Sequence, residues 1–142
     1  MADRTASTVW QGDLFSGSGA ATLESSGLAS DLPVSWPART EEPGGQTSPE
    51  ELIAAAHSSC FSMALSKQLA DRDIVADRIE ASATVSFVAG QGVTASALTV
   101  QVSAADLDDA TLQEVANAAK DGCPVSQALK GNVELSVTAT LA

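Results

Sequence analysis

The amino-acid sequence predicts an α+β fold in which antiparallel strands dominate the sheet and two main helices lie between the strand regions. This prediction depends on three observations: alternation of apolar and polar residues typical of strands, two segments with helical periodicity, and a length that suits one domain. The chain has 142 residues, and domains of about 100–200 residues are typical. No linker divides the sequence, so we expect a single domain over residues 1–142.

Composition and charge disfavour several classes of protein. Hydrophobic residues make up 44% of the chain and charged residues 18%, a balance typical of a folded chain rather than a disordered one. Lys and Arg total 7 against 18 Asp and Glu, a net charge of −11. So few cations disfavour nucleic acid and anionic membrane surfaces as partners. No apolar run reaches the roughly 18–20 residues of a membrane span, and no export signal is visible, so we expect a cytoplasmic location.

The N-terminal third carries three short strand-like runs separated by glycine and serine. They lie around Thr8–Trp10, Ala20–Glu24 and Val34–Trp36. Their composition and their flanking turn residues predict three short strands.

The first main helix has a recognisable start. Ser48 suits the N-cap, Pro49 suits the first helical position, and Glu51 completes an S-x-x-E capping box. The helix is predicted to run to about Asp71. Its predicted apolar face comprises Ile53, Ala56, His57, Cys60 and Ala64.

A hairpin is predicted after this helix. The run Ile79–Val88 alternates with period two, and Leu98–Ser103 does the same. The glycine-rich turn Ala89–Gly92 precedes the second run, which is the pattern of two strands joined in a hairpin.

The remaining elements are helical and then extended. A second helix is predicted over Asp109–Lys120, with Gly122 placed to end it. Pro124 suits the first position of a further short helix. The C-terminal run Val133–Leu141 alternates regularly and predicts a last strand.

The two cysteines are candidate reactive residues. Cys60 lies in the middle of the first helix, where a free cysteine is either a small buried hydrophobic residue or a reactive thiol. Cys123 precedes Pro124, and this places it at a helix N-cap. The positive end of the helix dipole lowers the pKa of a thiol at that position, which favours a reactive Cys123. Alternatively, Cys123 only caps the helix and has no chemical role. Two Cys and one His cannot complete a four-ligand zinc site, and a permanent disulfide is not expected in the cytosol.

Three polar residues near these cysteines have open interpretations. His57 precedes Cys60 by three residues, but no carboxylate or amide is evidently placed to orient its ring, so a packed or capping histidine is favoured over a Cys–His pair. Arg39 is either a surface residue or a guanidinium held near a thiolate. Glu50, like Glu51, favours the helix N-terminus electrostatically, which is sufficient reason for its presence.

Two motifs in this sequence resemble those of a known family, the osmotically inducible protein C / organic hydroperoxide resistance (OsmC/Ohr) family. Residues 48–64, SPEELIAAAHSSCFSMA, are similar to its first cysteine motif, and Gly122–Ser126, GCPVS, is similar to its second. The start Trp10-x-Gly12 and the length also fit, so the resemblance covers essentially the whole chain. His57, where the hydroperoxide resistance branch tends to carry Tyr, indicates the OsmC branch. The resemblance implies an OsmC-like fold, with antiparallel sheets wrapped around central helices in an intertwined homodimer.

The resemblance also implies an activity and four site residues. It implies a thiol peroxidase that reduces organic hydroperoxides, and less efficiently hydrogen peroxide, to alcohols. The family's two thiols map onto Cys60 and Cys123, its arginine onto Arg39 and its glutamate onto Glu50. Cys60 would become a sulfenic acid and then form a disulfide with Cys123, which a dithiol reduces; a lipoylated protein is the family precedent. No metal, haem or flavin cofactor is implied.

Helix geometry bears on how these residues meet. Glu50 and Cys60 are ten residues apart on one predicted helix, hence about 15 Å apart along its axis. Glu50 is therefore not expected to reach the Cys60 of its own chain through Arg39. If two subunits pack their helices antiparallel, the partner subunit's Glu50 can approach, so we expect a dimer whose sites draw on both chains.

The sequence also predicts a substrate preference and leaves two other functions open. Phe61 and Met63 flank Cys60, and an apolar lining would favour the alkyl part of an organic hydroperoxide over hydrogen peroxide. Two alternatives stay open on the same fold: a ligand-binding stress protein without turnover, and a redox switch in which the disulfide alters a partner surface.

Overall fold

The computed structural model describes residues 1–142 and has the α+β architecture that the sequence predicts. The chain divides into two compact units, Met1–Leu52 and Ile53–Ala142. No helix is both long enough and apolar enough to cross a membrane. In chain order the elements are β1 (Ser7–Gln11), β2 (Ser18–Thr22), β3 (Leu32–Val34), α1 (Trp36–Thr40), α2 (Pro49–Ala70), β4 (Arg78–Val88), β5 (Gly92–Ser103), α3 (Asp109–Gly122), α4 (Pro124–Leu129) and β6 (Glu134–Leu141).

The first unit contains a three-stranded antiparallel sheet in the order β1-β2-β3. Gly19 of β2 lies opposite Trp10 of β1 and Val34 of β3. A Cβ atom at this position would come within 2.8 Å of the Trp10 ring and 2.9 Å of the Val34 side chain. Glycine therefore lets the two outer strands place large side chains over the centre of this small sheet.

The third predicted run, Val34–Trp36, does not continue as a strand to its end. Strand β3 stops at Val34, and Ser35 caps helix α1 by accepting a hydrogen bond from the Ala38 amide at 3.3 Å. Pro37 fits the first turn of this helix because no intrahelical amide donor is needed there. The predicted strand is wrong at its end because serine capping and proline outweigh the apolar pattern.

Helix α2 begins at Pro49 as predicted and ends at Ala70. Its fully buried residues follow one another at four-residue steps, and Ala56, which was predicted to share the apolar face, is exposed. Large side chains remove more apolar surface from water than alanine does, so they determine which side of the helix faces the core. The buried residues of α2 in the second unit are His57, Phe61, Leu65 and Leu69.

The second unit contains a three-stranded sheet in the order β4-β5-β6. Strands β4 and β5 form the predicted antiparallel hairpin, with Ala83 opposite Leu98. Strand β6, however, pairs with β5 in parallel, with Leu98 opposite Val137. The other three strand pairings are antiparallel, so the expectation that antiparallel strands dominate is confirmed. Parallel pairing is allowed here because α3 and α4 form a connection long enough to return the chain to the same end of the sheet.

Helices α3 and α4 follow one another directly. Asp108 caps α3 by accepting from the Thr111 amide at 2.7 Å, and the helix ends at Gly122 as predicted. Helix α4 then begins at Pro124, again as predicted. The core between these helices, α2 and the sheet consists of apolar side chains, each of which stabilises the fold by about 1.5–3 kcal/mol when fully buried. Its fully buried members include Phe61, Leu65, Leu98, Val100, Leu112, Val115 and Cys123.

Candidate active site

The two cysteine side chains meet in the second unit. Cys60 is half-buried on α2, directly before the core residue Phe61, and Cys123 is fully buried between α3 and α4. The Cys60 thiol lies beside the Cys123 thiol, and neither cysteine is in a disulfide. Two thiols in contact in a reduced protein can be joined by a disulfide after one of them is oxidised.

The junction between α3 and α4 positions Cys123. Its amide donates to the carbonyl of Ala119 at 2.8 Å and ends α3, while its carbonyl accepts from the Gln127 amide at 3.0 Å and starts α4. Cys123 is thus the N-cap residue of α4, as the Cys-Pro sequence predicts. Its side chain makes no capping hydrogen bond, so the thiol points to Cys60 rather than to its own helix.

A backbone amide of α4 also contacts Cys60. The amide of Val125 donates a hydrogen bond to the Cys60 sulfur and lowers the pKa of this thiol. The sequence predicts that the N-terminal end of this short helix acts on Cys123, and it does not predict a donor from the same helix to Cys60. A local signal was present: Pro124 has no amide hydrogen, so Val125 provides the first N–H group of α4.

The remaining influences on Cys60 act against the thiolate. Burial, the largest of them, raises the pKa of the Cys60 thiol, and the neighbouring Cys123 thiol raises it further. The Val125 amide offsets only part of this, so the net direction is upward. A nucleophilic Cys60 at neutral pH therefore needs additional stabilisation of its thiolate.

His57 is a packed histidine with both ring nitrogens hydrogen bonded. Nδ1 lies 2.7 Å from Ser96 Oγ on β5, and Nε2 lies 2.8 Å from Ser126 Oγ on α4. The ring is fully buried, and burial lowers the pKa of His57. Since both nitrogens are used by serines, His57 is not a base for Cys60, in agreement with the interpretation that the sequence favours.

Arg39 and Glu50 form an ion pair in the first unit. The Arg39 Nε donates to Glu50 Oε1 at 3.0 Å and to Oε2 at 3.2 Å, and Nη2 donates to Oε1 at 2.8 Å. Glu50 is only 7% exposed, and 29% of the Arg39 side chain is accessible. Glu50 therefore does more than favour a helix terminus electrostatically: it fixes the plane of a guanidinium.

A cavity of about 180 Å³ adjoins Arg39 in the first unit. Trp36 forms part of its wall, and the Phe15 ring meets the Trp36 ring edge to face with centroids 6.1 Å apart. The lining is mainly apolar with a single guanidinium, which suits a small molecule that combines an alkyl part with a polar or anionic end. Its lining residues are Trp10, Leu14, Val34, Ser35, Trp36, Arg39 and Pro49.

The expected apolar lining beside Cys60 is wrong for one of its two residues. Phe61 is fully buried in the core, and only Met63, which is 71% exposed, is available at the surface. Phe61 directly follows Cys60, and consecutive helical positions point in different directions, whereas Met63 lies three residues after Cys60 and shares a helix face with it.

The four residues suggested by the sequence thus occur as two pairs, Cys60 with Cys123 and Arg39 with Glu50. The first pair lies in the second unit, and the second pair lies in the first unit. The structure contains no group of three or more His, Cys, Asp or Glu side chains that could hold a metal ion.

Comparison with known proteins gives consistent matches. A family model described as OsmC-like protein matches residues 42–138. The chain is 40% identical over 129 residues to the peroxiredoxin OsmC of Escherichia coli (strain K12), covering 89% of each chain. It is 32% identical over 108 residues to the organic hydroperoxide resistance protein OhrB of Bacillus subtilis (strain 168), covering 75% of this chain and 79% of that one.

Solved structures agree with these sequence matches. The crystal structure of OhrB of Bacillus subtilis superposes with a TM-score of 0.70 at 28% identity, covering 96% of this chain and 98% of the other. An OsmC protein from Legionella pneumophila has a TM-score of 0.73 at 24% identity, with 99% of both chains covered. The second match shows the shared fold.

Proposed function

The chain belongs to the OsmC-like protein family, in its OsmC branch, and on this basis we propose that it is a cysteine-dependent peroxidase that reduces organic hydroperoxides to alcohols. Relatives named as a peroxiredoxin and as organic hydroperoxide resistance proteins support a peroxidase-type role in the stress response. The observation that carries the proposal is the contact between the Cys60 and Cys123 thiols.

In the first step, the Cys60 thiolate attacks the terminal oxygen of the hydroperoxide. The S–O bond forms as the O–O bond breaks, and the alkoxide leaves and takes up a proton to become the alcohol. Cys60 is left as a sulfenic acid, so the thiol sulfur is oxidised and the peroxide is reduced. The half-buried position of Cys60 supports this role, because a reacting thiol must be accessible to its substrate.

In the second step, the Cys123 thiol attacks the sulfenic sulfur of Cys60. The S–S bond forms, the S–O bond breaks, and the hydroxyl group leaves with the Cys123 proton as water. The buried position of Cys123 against Cys60 supports this assignment, because a resolving thiol needs proximity to its partner more than access to solvent. Rapid closure also protects Cys60 from further oxidation to sulfinic acid.

A dithiol then reduces the disulfide and returns both cysteines to the thiol form. A small dithiol or a lipoylated protein fits this requirement, because two thiols on one molecule release the enzyme by a second exchange. Neither step needs a metal, haem or flavin.

We assign Arg39 as the cation that stabilises the Cys60 thiolate and Glu50 as the residue that orients Arg39. Burial raises the pKa of Cys60, so a nearby positive charge is required for reaction at neutral pH. Guanidinium suits this role because it stays charged when partly buried and can serve a carboxylate and a thiolate with separate N–H groups. The ion pair with Glu50 supports the assignment, since it fixes the guanidinium plane.

We further propose that the active protein is a homodimer in which the Arg39–Glu50 pair of one subunit serves Cys60 of the other. Glu50 is on the first turn of α2 and Cys60 is near its middle, about 15 Å further along the helix axis. Antiparallel packing of two such helices about a two-fold axis would bring the first turn of one beside the middle of the other.

The experiment that tests the function measures consumption of cumene hydroperoxide by the purified protein with dihydrolipoamide as reductant. We expect many turnovers for the wild type and none for Cys60→Ser, because this substitution removes the thiol that attacks the peroxide. Oxidation of the wild type for a single turnover, without steady-state turnover with any dithiol, would instead favour a redox switch. No reaction of Cys60 with any hydroperoxide would refute both.

A further inference from the structure

His57 connects three elements of the second unit through a single buried ring. It lies on α2, its Nδ1 is hydrogen bonded to Ser96 on β5, and its Nε2 is hydrogen bonded to Ser126 on α4. All three residues are at most 2% exposed. A histidine with two buried hydroxyl partners is a polar contact inside an otherwise apolar core, and its loss would leave buried polar groups without partners.

The hydrogen bond between His57 and Ser126 lies close to the two groups of α4 that face Cys60. Ser126 directly follows Val125, whose amide donates to the Cys60 sulfur, and it is three residues after Cys123, whose thiol contacts Cys60. Helix α4 has only six residues, Pro124–Leu129, and such a short helix has little stability of its own. Its orientation therefore depends on the contacts that hold it.

On the other side, His57 is fixed relative to Cys60. The two residues are one turn apart on the long helix α2, so the distance between their backbones is set by helix geometry. Contact of the His57 ring with Ser126 thus ties α4 to the same rigid helix turn that carries the reactive thiol.

We propose that His57 is a positioning residue for the two-thiol pair: through Ser126 it holds α4 so that the Cys123 thiol and the Val125 amide both face Cys60. This inference deepens the proposed function and rests on it for the peroxide step. The step that it accelerates is the attack of the Cys123 thiol on the Cys60 sulfenic acid, which forms the S–S bond and releases water. His57 touches neither the substrate nor a reacting atom.

A pair of substitutions at position 57 separates the two hydrogen bonds. The amide of His57→Gln extends to about where Nε2 lies and can still reach Ser126, whereas the amide of His57→Asn ends near the Nδ1 position and reaches only Ser96. After one equivalent of cumene hydroperoxide, we expect closure of the disulfide to be roughly tenfold slower in His57→Asn than in His57→Gln, since small misplacements of reacting groups are costly.

The measurement traps the intermediate. Dimedone added at intervals captures Cys60 that is still a sulfenic acid, and mass spectrometry gives the fraction captured before Cys123 reacts. Ser126→Ala should show the same slow closure as His57→Asn, because it removes the same hydrogen bond from the other side. Closure that is as fast in His57→Asn as in His57→Gln, or as fast in Ser126→Ala as in the wild type, would overturn the inference.

A core variant controls for general loss of stability. Val102→Ala shortens a fully buried side chain of β5 and leaves both serines and the histidine in place. We expect this variant to be less stable than the wild type but to close its disulfide at the wild-type rate. Slowing as large as that of Ser126→Ala would mean that any weakening of the core has the same effect, and the positioning role would be refuted.

A measurement without peroxide separates this inference from the proposed function. The equilibrium between the dithiol and disulfide forms of the protein against dithiothreitol reports how favourably the two thiols are held together. We expect the equilibrium constant for disulfide formation to fall roughly tenfold in Ser126→Ala and to be unchanged in Val102→Ala. If the wild type fails to consume peroxide, the function is refuted, and this equilibrium still decides the role of His57: an unchanged constant in Ser126→Ala would overturn it.

Discussion

The guanidinium of Arg39 donates to both carboxylate oxygens of Glu50 within one chain, over distances of 2.8 to 3.2 Å. Glu50 is nearly buried while Arg39 is partly accessible. The carboxylate is thus the fixed member of the pair, and the arginine is the member that can meet another group. This relationship leads to two predictions about charge and subunit arrangement.

The first prediction concerns the charge that stabilises the thiolate. Arg39→Ala should raise the pKa of Cys60 by about one unit or more, because an opposite charge within about 4–6 Å shifts a pKa by that amount. The rate of reaction with peroxide at neutral pH should fall about tenfold and recover in part at higher pH. Titration of thiolate absorbance near 240 nm measures the shift.

Two further variants control this measurement. Arg39→Lys should recover only part of the loss, since an ammonium supplies charge but cannot serve both groups in one plane. Arg78→Ala removes another paired arginine, one whose contact with Glu80 is exposed, and it should leave the titration unchanged. Identical titrations for the wild type and Arg39→Ala would mean that another cation serves Cys60.

The second prediction concerns the origin of the site residues. Protein that carries Cys60→Ser should be inactive, and protein that carries Arg39→Ala with Glu50→Gln should keep no more than about a tenth of wild-type activity. If the pair acts across the subunit interface, unfolding and refolding an equal mixture should restore about one quarter of wild-type activity, because half of the dimers are mixed and each has one intact site. Absence of any recovery, with mixed dimers verified by mass spectrometry, would mean that Cys60 uses the Arg39 and Glu50 of its own chain.

The third prediction concerns the second cysteine. Cys123→Ser should still react once with hydroperoxide, because Cys60 remains, but the sulfenic acid should persist and then oxidise to sulfinic acid under excess peroxide. Intact-mass measurements during peroxide addition should show a gain of one and then two oxygens at Cys60. A disulfide between two Cys123→Ser subunits, with no overoxidation, would argue against Cys123 as the resolving thiol.

The fourth prediction concerns the substrate. The apolar cavity beside Arg39 should favour cumene or tert-butyl hydroperoxide over hydrogen peroxide in kcat/KM. Leu14→Ala shortens a side chain of this cavity and should lower kcat/KM for cumene hydroperoxide about three- to tenfold, since each buried CH₂ contributes roughly 0.8 kcal/mol. Hydrogen peroxide, which has no alkyl part, should be unaffected.

A matched control for that substitution is Leu28→Ala. Leu28 is 85% exposed and does not line the cavity. Its substitution should therefore leave kcat/KM unchanged for both cumene hydroperoxide and hydrogen peroxide. Equal effects of the two leucine substitutions, or a preference of the wild type for hydrogen peroxide, would show that the cavity does not bind the alkyl group.

The fifth prediction concerns stability and pH. Burial lowers the pKa of His57 in the folded protein below its ordinary value of 6.5. As pH falls below 6.5, the unfolded chain binds a proton that the folded chain does not, so the free energy of unfolding decreases until the folded protein also becomes protonated. The free energy of unfolding of the reduced protein, measured with urea, should fall more steeply between pH 7.5 and 5 for the wild type than for His57→Gln. Parallel curves would mean that the imidazole is protonated equally in both states.

The sequence predicts well those features that depend on neighbours along the chain. The start of α2 at Pro49 and the start of α4 at Pro124 follow from capping and proline chemistry. The end of α3 at Gly122 follows in the same way. Each depends on the conformational preferences of a few consecutive residues, which are the same whatever the rest of the fold does.

The features that the sequence does not predict depend on contacts between distant segments. The hydrogen bond from the Val125 amide to Cys60 exists only because α4 packs on α2. The two serine partners of His57 are 39 and 69 residues away from it in the chain. Parallel pairing of β6 has the same origin, because alternation shows which side of a strand is buried but not the direction of its neighbour.

The parallel pairing of β6 also has a consequence for synthesis on the ribosome. The β4–β5 hairpin is local and can form as soon as it emerges, whereas β6 pairs with β5 only after α3 and α4 have been made. Cys60 leaves the ribosome well before Cys123. For that interval the nascent chain carries the Cys60 thiol without Cys123, so an oxidant met at this stage would find no second thiol with which Cys60 could form a disulfide.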